Sequence, residues 1–129
     1  MSGTTEAQWG EQSLTAGISN LVVRLMSAYT GRGPTKAWTS IEDDLVSVVL
    51  RDTLTKGEHS LLSDDKGPLV LEMRQAYQQA MRSDLIAGVE ELTGRKVIAF
   101  LSANHLDPDV AVESFVLEPQ ADPRDDEGS

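Results

Sequence analysis

The chain has 129 residues, with 21 acidic against 11 basic side chains, a net charge of -10 and no cysteine. That length makes one domain, able to hide roughly two-thirds of the surface its unfolded chain exposes. The missing cysteines exclude disulfides, thiolate zinc sites, iron–sulfur clusters and a cysteine nucleophile, and the negative charge argues against nucleic acid as a partner, because it repels phosphate backbones.

The opening MSGTTEAQWGEQS lacks the basic and apolar regions of a secretory leader, and no stretch approaches the ~18 apolar residues of a membrane span. A cytoplasmic protein without membrane insertion is expected, with residues 1–10 as a flexible N-terminus in which Trp9 is the one large apolar group. Leu14, Ile18, Leu21, Val22, Leu25, Met26 and Tyr29 then recur on one helical face, predicting an amphipathic helix over 11–30 that Gly31 ends as a left-handed cap. Pro34 forbids its continuation. KAWTSIE (36–42) and DLVSVVLRD (44–52) read as a hairpin about an acidic turn at Glu42, Asp43 and Asp44.

Thr55 and Glu58 have capping-box spacing and start a short helix over 56–63. Asp64 or Asp65 is the expected N-cap of the next helix, with Pro68 in its first turn. Leu69, Met73, Ala76, Tyr77, Ala80, Leu85, Val89 and Leu92 carry its apolar face to Gly94, with a slip in spacing near 82–84 where a kink is expected. KVIAFLSA (96–103) and DVAVESFVLE (109–118) are the last strands, and PQADPRDDEGS is an acidic tail expected to be disordered over 119–129. The order α-β-β-α-α-β-β gives one α+β domain over 11–118, with a four-stranded, mainly antiparallel sheet and one long helix. No internal repeat is visible.

The strands carry apolar residues on both sides. Val46, Val48 and Leu50 oppose Leu45 and Val49; Val97 and Leu101 oppose Ile98 and Phe100; Val110, Val112 and Val116 oppose Phe115 and Leu117. An antiparallel sheet with one wet face alternates apolar with polar, so both faces are expected to need cover, either from helices on each side or from a second copy. A homodimer is the favoured expectation.

For chemistry the signals are few. His59 and His105 sit in no metal-binding or triad spacing, and the paired acids at 42–44 and 64–65 are explained by turns and helix starts, so no metal, cofactor or catalytic residue is expected. Gly31-Arg32-Gly33-Pro34 follows a helix and precedes a strand, the reverse of a phosphate loop. Arg32 is expected to bond the last helix carbonyls and an acid such as Asp43 or Glu58, or else, with Tyr29, Gly31 and Gly33, to hold a ligand or a partner's carboxylate.

Gly31-Arg32-Gly33-Pro34, Leu54-Thr55 with Glu58, and Thr93-Gly94 before Val97, in that order over residues 12–118, resemble the MpsC-like family, soluble companions of a sodium-translocating, membrane-potential-generating system. The resemblance implies a soluble companion of a membrane ion and inorganic-carbon transport system, and it carries no catalytic residues. With the absence of a nucleophile, metal cluster or cofactor loop and the doubly apolar strands, the leading expectation is a non-catalytic accessory or regulatory protein that self-associates and docks on a larger partner. Relatives often place a proline where this chain has Ser83. The competing expectation is a small-molecule sensor or enzyme that holds an anion through Arg32 in a pocket beside the sheet, with His59 or His105 as proton carrier.

Overall fold

The computed structural model describes residues 3–120, with side chains from Ser13 onward. Its elements follow the expected order: α1 (Gly3–Thr30), β1 (Lys36–Glu42), β2 (Leu45–Arg51), α2 (Lys56–Ser63), α3 (Gly67–Thr93), β3 (Val97–His105) and β4 (Val110–Leu117). The strands form one antiparallel sheet in the order β1-β2-β4-β3, an α+β architecture. Helix α1 starts ahead of the position expected at residue 11 and within the stretch expected to be flexible. Trp9's side chain and all but the first two residues of the expected acidic tail lie outside the described residues.

Local rules set the helix ends. The Thr55 hydroxyl accepts from the Glu58 amide at 3.2 Å while the Glu58 carboxylate accepts from the Thr55 amide at 2.8 Å, completing the capping box. The N-cap of α3 is Lys66, without a side-chain cap, in place of the expected Asp64 or Asp65. Asp64 instead closes the end of α2, and Asp65, at φ 58, turns the chain between the two helices. Helix α3 then runs unbroken through 82–84. The slip in apolar spacing marks a misread face instead of a kink: the buried stripe is Val70, Arg74, Gln78, Met81, Leu85 and Val89, while Leu69 and Leu92 are exposed. Arg74 and Gln78 belong to that stripe because Arg74 Nη1 and the Gln78 amide find hydrogen-bond partners inside the protein.

Val46, Val48 and Leu50 of β2 and Ala111, Phe115 and Leu117 of β4 face the core, which Ile18, Leu21, Val22 and Met26 of α1 and Met81, Leu85 and Val89 of α3 complete. Both long helices therefore cover the same side of the sheet. They approach closely at Gly88, where a Cβ would stand 2.5 Å from Leu21 Cδ2. The other side stays open within the single chain: Trp38, Leu45, Ile98 and Leu101 are exposed on it, and Val49, Val110, Val112 and Val116 are half-buried. A register shift between Val97 and Ala99 corrects the expected sides of β3. Val97 is buried and Phe100 meets Phe115 at 5.1 Å between ring centroids, whereas Ile98 and Leu101 face outward at 55% and 58% exposure.

Exchanging β1 with β3 and β2 with β4 leaves the strand order unchanged. The register obeys the same exchange, since Leu45↔Val116 and Arg51↔Val110 lie symmetrically about the central pair Val48↔Glu113. The domain is thus two αββ halves, a repeat invisible in the sequence because α2 interrupts it and little beyond Thr30-Gly31-Arg32 and Thr93-Gly94-Arg95 is shared.

Candidate functional site

The two Thr-Gly-Arg triplets build matching corners. Gly31, at φ 82, ends α1 with its amide on the Ser27 carbonyl at 2.9 Å, while Thr30 Oγ1 donates to the Met26 carbonyl at 2.7 Å and accepts from the Arg32 amide at 3.4 Å. Gly94, at φ 67, ends α3 with its amide on the Glu90 carbonyl at 2.8 Å, while Thr93 Oγ1 donates to the Val89 carbonyl at 2.7 Å and accepts from the Arg95 amide at 3.2 Å. Only glycine takes that left-handed backbone at little cost.

Each arginine then ties its helix end to the sheet. Arg32 Nη1 donates to the carbonyls of Asp52 (2.6 Å) and Leu54 (3.0 Å), and Nη2 to Asp52 Oδ2 (2.8 Å). Arg95 Nη1 donates to the Asp43 carbonyl (3.1 Å), and Nη2 to Asp44 Oδ1 (2.6 Å) and the Glu118 carbonyl (2.9 Å). The salt link expected of Arg32 is present with Asp52 as its acid, but the carbonyls its guanidinium bonds are those of Asp52 and Leu54 and not the last ones of α1. Of the expected partners, Asp43 is engaged through its carbonyl by Arg95, and Glu58 is buried against Arg74. The hydrogen bond from Arg32, with a further one from Thr35, holds the Asp52 carboxyl below its ordinary range.

The other residues expected at this site separate. Tyr29 turns to α3, donating to Asp84 Oδ2 at 2.7 Å, and that bond to a carboxylate raises the phenol's pKa. Gly33 lets the loop lie on α1, since a Cβ there would meet Val23 at 3.3 Å. His105 Nδ1 sits 2.8 Å from the Pro108 carbonyl of its own turn, and both histidines are exposed.

Sequence reasoning missed a polar network inside the core. Arg74 Nη1 lies 3.4 Å from Glu58 Oε1 and from the Thr53 carbonyl. Gln78 exchanges two 3.0 Å bonds with Asn104 and donates to Glu113 Oε1 at 3.3 Å. Glu113 is fully buried, and burial raises its pKa from 4.5 to about 7, against the opposing pull of Ser102, Gln78 and the Arg74 charge. Its signal was present in the strand alternation, where Glu113 stands on the inward side between Ala111 and Phe115. Above it, Gln75, Gln78, Gln79, Arg82, Phe100 and Ser102 line a hollow between α3 and β3.

These features define a small two-layer α+β protein with arginine-tied corners, a titratable carboxyl in its core and one sheet face open. Among the described residues no helix is long and apolar enough to cross a membrane. The chain belongs to the MpsC family, described as the Na+-translocating membrane potential-generating system (MpsC), whose match spans residues 11–119. Neither a curated protein nor a solved structure matches it.

Proposed function

We propose that the chain is a non-catalytic accessory protein of a sodium-translocating, membrane-potential-generating system, acting in the cytoplasm as a homodimer that docks on the membrane components. Family membership supports the system, and the open sheet face supports the association. Four strands about 4.8 Å apart and seven residues long span roughly 19 by 24 Å, and the relief of their side chains brings this surface toward the ~800 Å² per partner of a stable interface.

The occupant is a second copy. Lys36 and Arg51 stand at one end of β1 and β2 on this face, and Glu42 stands at the other beside Asp43 in the turn. A copy laid face to face with its strands reversed sets basic end over acidic end, while Trp38, stacked under Arg51 at 5.6 Å, and the Val49, Val112 and Leu101 side chains meet in the middle. Two sheets packed this way leave the helices of both copies outward for the membrane partner. Arg32, committed to Asp52 and Leu54, contributes through the edge of its guanidinium that still meets solvent.

Light scattering on purified protein tests the association, with a dimer expected for the natural chain and a monomer of unchanged circular dichroism for Leu101→Glu. A natural chain that stays monomeric when concentrated overturns it. For the transport role, deletion of the gene is expected to lower sodium-dependent membrane potential, and an unchanged potential would refute that part.

A further inference from the structure

The Arg32 and Arg95 corners differ in one respect that holding a helix end does not require. Asp44, the residue ahead of β2, pairs with Arg95 at 2.6 Å. Its counterpart ahead of β4 is Asp109, yet Arg32 pairs with Asp52 instead. Asp109 keeps only uncharged donors, Thr53 Oγ1 on its Oδ1 and the Leu54 amide on its Oδ2, both at 2.9 Å, and no cationic side chain pairs with it among the described residues. His59, from α2, reaches the same place: one ligand atom each from Asp52, His59 and Asp109 lie within 4.8 Å of one another.

We propose that Asp52, His59 and Asp109 bind a divalent transition-metal ion of the zinc and manganese class. An imidazole with two carboxylates is a mixed nitrogen and oxygen donor set, which suits these ions, whereas sodium, magnesium and calcium take oxygen ligands. Charge favours the same conclusion, since two carboxylates face one guanidinium, and Asp107 lines the adjoining hollow with Leu62, Ser63 and Leu106. A dication offsets that surplus.

The ligands come from three segments, and both carboxylates are held from behind as metal ligands generally are. Arg32 and Thr35 fix Asp52, Thr53 and Leu54 fix Asp109, and His59 rides on the helix whose first turn the Thr55–Glu58 box secures. Three protein ligands leave the remaining positions to water or to a carboxylate of another chain. The ion joins the end of β2, the start of β4 and α2, so its binding stabilises the fold by an amount that grows with the logarithm of its concentration once that exceeds Kd.

The test uses tag-free full-length protein stripped with EDTA and freed of it, titrated with zinc chloride or manganese chloride by calorimetry and thermal shift, with magnesium and sodium chlorides as controls. One ion per chain and a rise in Tm are expected for zinc or manganese, with affinity at least about tenfold weaker in His59→Gln and Asp109→Asn. His59 is exposed, so His59→Gln folds even if loss of the Asp109 bonds weakens the second variant. His105 is the other of the two histidines, and His105→Gln is expected to bind as the natural chain does. No zinc or manganese binding up to about 1 mM, or binding that survives His59→Gln, overturns the proposal.

Discussion

At Thr30–Arg32 and at Thr93–Arg95 the chain leaves a long helix through the same three residues. At each, an arginine reaches the carbonyl just beyond the second strand of its half, Asp52 in one and Glu118 in the other. The surroundings then diverge. Arg95 is the more enclosed, at 16% side-chain exposure against 37% for Arg32, and it neutralises Asp44 in the turn ahead of β2. Arg32 takes Asp52, which leaves Asp109 beside His59 without a cationic partner among the described residues. The shared part is what a helix end needs, and the unshared part is where the two halves were free to differ. The same holds where the halves meet, with hydrocarbon at Val48 and a carboxyl at the equivalent Glu113.

Restoring uncharged character at Glu113 has the largest expected effect. Below about pH 4.5 the carboxyl is protonated in both folded and unfolded chains and costs nothing. As pH rises from there to about 7 the unfolded chain ionises first, so stability falls, and above about 7 the loss is complete. It amounts to something on the order of 3 kcal/mol. Glu113→Gln is expected to remove this part of the pH dependence, read as the difference between urea melts at about pH 4 and about pH 8. A slope equal to that of the natural chain would mean that the carboxyl ionises freely inside the fold.

Next comes the contrast between the arginines. Arg95→Ala is expected to cost about 2 kcal/mol, since it removes three charge-assisted bonds from an enclosed site, and Arg32→Ala about 1 kcal/mol because water screens that corner more. Chemical denaturation of both variants decides it, and the reverse ranking would remove enclosure as the reason the corners differ. The smallest effects are those expected to be equal. Gly31→Ala and Gly94→Ala each place a Cβ where nothing lies within 4 Å, so each costs only the left-handed backbone, about 1 kcal/mol. Unequal losses in thermal melts would show that the two helix ends are not equivalent.

Particular residues show how far the sequence reached. Gly31 and Gly94 announced the ends of α1 and α3, and Thr55 with Glu58 announced α2. Arg74 and Gln78 hid the true face of α3, because a periodicity count assigns polar side chains to solvent unless their partners are known. Simple alternation puts Ile98 and Leu101 on opposite sides of β3, because the shift beside Ala99 that brings both outward depends on pairing with β4. The Asp52–His59–Asp109 cluster left no motif, because Thr53 and the Asp109 that holds it are 56 positions apart.

By itself the sequence determined the elements, their order and their ends, since caps, turns and helical periodicity act between residues a few positions apart. Only the tertiary structure decided which side of the sheet the helices cover, which acid each arginine takes, and that a carboxyl could be buried at Glu113. Those outcomes depend on distant segments competing for the same space, charge and hydrogen bonds, and spacing along a chain does not record who wins.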